Sequence, residues 1–134
     1  MRSEFSLNQK HTELGLIPDP IIPVAVLTMY GYQKFDFLVD TGADCSMMPK
    51  SVAQDLGIKL SSLPVMHFRG IEGKGISVYL TKITIKITNI PVKITCTLSS
   101  NEQSPFILGR KDIFNKFNIF FDNRSKVIAF TDIS

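Results

Sequence analysis

The strongest constraint on this chain is a run of alternating apolar residues between Ile76 and Leu98. Ile76, Val78 and Leu80 fall on even positions, Ile83, Ile85 and Ile87 on odd ones, and Val92, Ile94, Cys96 and Leu98 on even ones again. A period of two marks strands with one buried face, and a helix cannot sustain it. The change of parity near Thr81 and Lys82 predicts a bulge or bend, with one strand serving two sheets. Asn89-Ile90-Pro91 allows a turn, and Lys93, Thr95 and Thr97 are expected on the outer face of the strand that follows.

The other segments are shorter. Ile21 to Met29 is apolar and β-branched, and Tyr30-Gly31-Tyr32-Gln33 turns it into a second strand, Phe35 to Val39, ending at Asp40. Lys50 to Gly57 predicts a short helix with Val52, Ala53 and Leu56 on its apolar face and Gly57 as its stop. Leu60 to Phe68 looks extended and leads into a glycine-rich hairpin at Gly70 to Gly75. Phe106-Ile107-Leu108-Gly109 is a short strand, Arg110 to Phe117 reads as a helix of two turns, and Asn118 to Asp122 pairs with Lys126 to Thr131 as a closing hairpin. Many short strands with two short helices imply an all-β barrel or sandwich. At 134 residues the chain suits one domain. Residues 1–20, polar and without periodicity, are expected as an N-terminal arm or tail with His11 solvated, and residues 21–134 as the domain.

Composition removes several function classes. The chain is 44% hydrophobic and 20% charged, and no apolar run approaches the length of a membrane span. Residues 1–20 lack the apolar core of a secretory signal. A net charge of +3 is scattered, with no dense basic tract, so neither nucleic acid nor a membrane is expected as a partner. Cys45 and Cys96 cannot build a disulfide framework, and His11 and His67 give no metal-ligand spacing. No metal or cofactor is expected, and a reducing, cytoplasmic compartment fits best.

The chemistry concentrates at Asp40-Thr41-Gly42-Ala43-Asp44. A carboxylate at the end of a buried strand is costly to desolvate, so it is either hydrogen-bonded by the following turn or kept for chemistry. The tripeptide alone also suits an Asx-turn capping a loop. Gly42 is expected to let the backbone turn sharply there. Cys45 has no His or basic partner to activate it and reads as a small packed residue, Met47 and Met48 read as core filling, and His67 reads as a strand-edge side chain. The glycines at Gly70 to Gly75 lack the strand-to-helix setting of a phosphate loop.

Asp40-Thr41-Gly42-Ala43-Asp44, the Gly-rich hairpin and Ile107-Leu108-Gly109-Arg110 stand in the order found in retropepsin-like aspartic peptidases, and the chain resembles that family over residues 21–131. The early placement of Ser46 to Pro49 and the following helix is similar to small cellular members rather than viral ones. The resemblance implies a closed barrel with one lobe per chain, and a homodimer acting on polypeptides. Peptide hydrolysis by this route needs two carboxylates sharing one proton and one water, and the chain carries one Asp-Thr-Gly. By the same resemblance Asp40, Thr41 and Gly42 are catalytic, with Thr41 bonding across the dimer axis and Gly42 offering its carbonyl to substrate. Substrate contacts fall to Gly42, Ala43, Asp44, Gly70, Ile71, Glu72, Gly73, Lys74, Gly75 and Leu108, with Gly70 to Gly75 as a flap. Arg110 pairs with Asp44 as a clamp. Glu72 and Lys74 and the lack of a Gly-Gly pair depart from the viral flap pattern. A hydroxyl in place of Ala43 would bond the ionised Asp40 and favour acid pH; Ala43 predicts activity toward mildly acidic or neutral pH. The competing expectation is a dimeric peptide-binding or scaffold domain of the same fold that cleaves nothing.

Overall fold

The computed structural model of the chain describes residues 1–69 and 75–133. Strands β1 (Arg2–Ser6), β2 (Asn8–Thr12), β3 (Gly15–Asp19), β4 (Ile21–Thr28), β5 (Gly31–Val39) and β6 (Ser46–Pro49) precede helix α1 (Val52–Leu56). After a 3-10 turn at Leu60–Ser62 come β7 (Val65–Arg69), β8 (Gly75–Lys86), β9 (Val92–Ser99), β10 (Ile107–Leu108), β11 (Phe117–Asp122) and β12 (Val127–Asp132). The fold is all-β.

Closure of the largest sheet explains its stability. Its order is β4-β5-β10-β6-β9-β8-β7, and β4 also pairs with β8 through Ala25–Lys86 and Val26–Ile85. Six strands therefore form a closed barrel, and among the described residues β7 pairs with β8 at its side. Inward alternation fills the interior with Ile22, Val24, Val26, Phe37, Ile85, Ile94 and Leu98, all fully buried. Each such side chain contributes about 1.5–3 kcal/mol by leaving water, whereas α1 buries only Val52 and Ala53. The barrel therefore dominates the energetics.

The parity change in β8 has a different cause from the one expected. No bulge interrupts it, because β8 and β9 keep one register from Val78–Ser99 to Ile85–Val92. What changes is the face that is covered: Val78 is buried on one face, and Thr81, Ile83 and Ile85 on the other. Thr95 and Thr97, expected outside, are also buried. Thr97 satisfies its hydroxyl there by donating to the Ser46 carbonyl at 3.1 Å.

Three local expectations are corrected. Residues 2–19 are not irregular: β1 pairs with β12, Phe5 meets Phe130 edge to face at 6.0 Å, and β2 and β3 form a hairpin with Gly15 at φ 93°. Burial of β12 supplies what the polar sequence of β1 lacks. Leu60–Ser62 is a 3-10 turn rather than extended chain. Residues 110–116 form successive turns and Phe117 opens β11, instead of the helix expected over Arg110 to Phe117, although Phe114 N–H and Phe117 N–H bond back to the Arg110 and Ile113 carbonyls, both at 3.0 Å. Asp112 breaks the helix by adopting φ 64°, a left-handed conformation that Asp tolerates better than most residues. Helix α1 ends as expected, with Gly57 at φ 71° and Ile58 N–H bonded to the Ala53 carbonyl at 3.0 Å.

Candidate active site

The end of β5 is held from both sides. Val39 N–H bonds to the Pro20 carbonyl at 2.8 Å, while Leu38 and Asp40 N–H bond to the Phe106 and Leu108 carbonyls at 2.8 and 3.0 Å. The short β10 thus lies parallel to β5, with Leu38 opposite Ile107 and Val39 opposite Leu108. Asp40 emerges half-buried from this ladder, and its Oδ1 accepts Gly42 N–H at 3.0 Å. The turn therefore satisfies one carboxylate oxygen; among the described residues the other accepts no hydrogen bond.

The two glycines here do different things. Gly42 is not in a left-handed conformation, and a Cβ on it would meet only Asp40 Oδ1, at 3.4 Å. Its bareness keeps the carboxylate uncovered rather than permitting the turn, which corrects the conformational role expected for it. Gly109 is required by a backbone crossing: a Cβ there would lie 2.5 Å from the Cys45 carbonyl carbon and 2.6 Å from its oxygen. Gly109 N–H bonds to the buried Ser46 Oγ at 3.0 Å, locking the crossing.

Beyond the crossing, the chain braces the Asp40 loop with main-chain bonds. Arg110 and Lys111 N–H bond to the Ala43 and Asp44 carbonyls, both at 2.9 Å. The Arg110 guanidinium pairs with the Asp44 carboxylate through Nη2 and reaches the Thr41 carbonyl at 3.4 Å through Nη1. The Asp44 side chain is 89% exposed and that of Arg110 47%, so the ion pair itself is worth under about 1 kcal/mol. Its contribution is orientation of the loop.

Asp112 anchors the other end of this brace. Strand β6 pairs with β9 only from Ser46–Cys96 onward, so the preceding residue, Thr95, has no strand beside it on that edge. Asp112 Oδ2 accepts Thr95 N–H at 2.7 Å, and Cys45 Sγ lies 3.6 Å from the Thr95 carbonyl as a weak donor. The bond from Thr95 N–H holds the Asp112 carboxyl below the usual carboxylate range. Burial pushes the Cys45 thiol up, and the charge of Asp112 adds to that. Burial likewise raises Cys96. Neither cysteine is a ready thiolate, and both are free.

A pocket of about 230 Å³ opens beside the loop, lined by Ala43, Asp44, Cys45, Met47, Val78, Thr97 and Ile107. Met47, expected as core filling, faces this space, while Met48 is fully buried. Leu108, expected to touch substrate, is buried in the core, and its neighbour Ile107 lines the pocket instead. Val78 and Thr97 were hidden in the sequence because an apolar or hydroxyl residue on a strand carries no mark of which layer will cover it. Gly75 opens β8 opposite Arg69. Gly70, Ile71, Glu72, Gly73 and Lys74, the remainder of the expected flap, lie outside the described residues. Among the described residues no cluster of His, Cys, Asp or Glu could hold a metal ion, and no helix is long and apolar enough to cross a membrane.

The model of a family described as "gag-polyprotein putative aspartyl protease" matches residues 27–113. No curated protein matches the sequence. Among solved structures, a retropepsin-like aspartic protease from Rickettsia conorii is similar with a TM-score of 0.65 at 17% identity, over 97% of this chain and 91% of that one. The EIAV protease, complexed with the inhibitor HBY-793, is similar with a TM-score of 0.52 at 22% identity, over 69% of this chain and 82% of its own. At these identities the likeness is one of fold.

Proposed function

The chain belongs to the aspartyl protease family of gag polyproteins, and on that footing we propose that it hydrolyses peptide bonds as a homodimer. The observation that carries this is Asp40 itself: a carboxylate at a strand end, one oxygen tied by Gly42 N–H and the other without a hydrogen bond among the described residues, on a loop braced through Gly109 and Arg110 and bordered by a side-chain-sized pocket. One such carboxylate cannot both activate water and protonate the departing group. Two, brought together by a two-fold axis, share one proton because like charges so close resist joint ionisation. The ionised member takes the proton of the attacking water, and the protonated member donates to the oxyanion forming on the scissile carbonyl.

The remaining roles follow the family's pattern. Thr41 bonds across the axis, and the Gly42 carbonyl accepts a substrate amide. Ala43 and Asp44 border the extended peptide, one of whose side chains enters the pocket; Ile107, Val78 and Met47 make that pocket suited to a medium-sized aliphatic group. Gly70 to Gly75 closes over the peptide as a flap.

The test compares wild type with Asp40→Asn on an unfolded protein and a peptide library at several pH values, with association measured in parallel. Cleavage by wild type and its loss in the variant support the reading. Equal cleavage by both, or none from a dimeric wild type, refutes it, and peptide binding without cleavage identifies a silent scaffold domain.

A further inference from the structure

A second cavity, of about 510 Å³, adjoins the β5–β10 ladder that carries Asp40, and Leu38, Pro105 and Phe106 form its apolar wall. Successive strand residues alternate faces, so Asp36, Leu38 and Asp40 lie on one face of β5, and the pairing of Ile21 with Leu38 brings Ile21 beside them. At about 3.3 Å per residue the wall at Leu38 begins about 7 Å from Asp40, within reach of a peptide lying across that carboxylate.

The rest of the lining is charged: Lys10 and Asp19 come from the β2–β3 hairpin, and Asp36 from β5. Asp19 is fixed in place. It stands between Pro18 and Pro20, whose rings restrict the backbone on both sides, and the Pro20 carbonyl accepts Val39 N–H one residue before Asp40. Among the described residues neither carboxylate forms an ion pair, and Lys10 forms none either. Two carboxylates against one ammonium leave the cavity negative, and Lys10, exposed on the hairpin, can turn its flexible stem to water. An apolar wall ending in unpaired carboxylates matches a side chain with an aliphatic stem and a cationic head.

From this we infer that the cavity is a specificity pocket for a lysine or arginine of the substrate, its stem on Leu38 and Phe106 and its charge at Asp19 and Asp36. The residue it takes lies within about two or three positions of the bond that is cut, given the spacing along β5. The inference rests on the peptidase reading and adds to it the substrate class: an extended segment with an aliphatic residue for the pocket at Ile107 and a basic residue for the hairpin side. The β2–β3 hairpin is thereby a wall of the substrate site, with Asp19 as its selecting residue.

A peptide library carrying Lys, norleucine or Glu at each position in turn tests this, with cut sites and rates read by mass spectrometry. Norleucine has the lysine stem without the charge. Wild type should cut the Lys peptide faster than its norleucine counterpart by roughly tenfold in kcat/KM at one position near the bond, as a charge-assisted hydrogen bond supplies, and the Glu peptide slowest. Asp19→Asn, shown to be folded by its melting curve, should bring the Lys-to-norleucine ratio to near one, Lys10→Ala should raise it, and added salt should shrink it. A wild type that cuts with no preference for Lys, or a preference that survives both Asp19→Asn and Asp36→Asn, overturns the inference and leaves the peptidase reading intact. Should nothing be cut, fluorescence anisotropy with the same peptides, labelled, decides. Tighter binding of the Lys peptide that Asp19→Asn abolishes keeps the pocket and removes the peptidase reading, whereas equal binding of the three peptides overturns the pocket.

Discussion

Replacing Gly109 by Ala tests whether the backbone crossing organises the site. The new Cβ would sit 2.5 Å from the Cys45 carbonyl carbon, 0.9 Å short of the 3.4 Å at which ordinary contact begins, and 2.9 Å from the Cys45 nitrogen. These are main-chain atoms, so no side chain can swing aside to relieve the clash. Overpacking of this kind costs about 1–3 kcal/mol. Parting the strands also weakens the buried bond from Gly109 N–H to Ser46 Oγ, for about 1–3 kcal/mol more. Domains of this kind are stable by about 5–15 kcal/mol, so Gly109→Ala removes a large share and lowers the melting temperature by roughly 8–24 °C, at about 4 °C per kcal/mol. Calorimetry and urea unfolding followed by circular dichroism measure it, with Gly42→Ala as the internal control. Its Cβ meets only Asp40 Oδ1, at 3.4 Å, so it stays within about 0.5 kcal/mol of wild type while covering the carboxylate. Should Gly109→Ala melt within about 2 °C of wild type, the crossing is not the constraint described.

Three further outcomes follow from the same geometry. Asp112→Asn keeps the shape and the tolerance for φ 64° but loses the charge, costing about 1 kcal/mol at neutral pH. The folded carboxyl lies below its ordinary value of 3.8, so this stabilisation is present above that pH and is lost as pH falls through the folded value; the gap between wild type and variant in urea titrations should therefore close in that acid window, and a constant gap contradicts the assignment. Arg110→Ala should change stability by under about 1 kcal/mol, its ion pair being exposed, yet lower kcat/KM by about tenfold through loss of loop orientation; the opposite pattern counts against the clamp. Ala43→Ser should move the pH–rate profile toward acid by favouring the ionised carboxylate, and an unchanged profile, or a sharply acid optimum already in wild type, refutes that argument.

The all-β class was legible because Ile83, Ile85, Ile94 and Leu98 face one interior and announce it by parity. The closing hairpin of β11 and β12 was legible for the same reason. Parity cannot report whether the outer face of a strand is covered too, so Thr95 and Thr97 looked like outer residues although both are buried. Nor can local pattern reveal a strand made by a distant partner: β1 has a single apolar residue, Phe5, and owes its form to β12. The run from Arg110 to Phe117 has helical spacing and helical back-bonds, and one left-handed residue, Asp112, overrides both because its carboxylate is needed at Thr95. Of the candidate site, the sequence carried the Asp40 loop and the Gly109-Arg110 segment as motifs. It carried nothing of Met47, Val78 or Ile107 as pocket residues, since their apolar character suits a core equally well.

The crossing at Gly109 also imposes an order in time. The loop that bears Asp40 is synthesised well before residues 108–111, yet the carbonyls of Ala43 and Asp44 find donors in Arg110 and Lys111, and Leu108 supplies the acceptor for Asp40 N–H. A growing chain that has passed Gly42 but not reached Lys111 holds the Asp-Thr-Gly tripeptide without its support. Such long-range closure is slow to form, because the loop entropy must be met before the contacts reward it. The frame around Asp40 therefore waits for residues 108–111, and a chain halted before them carries the Asp-Thr-Gly without its support.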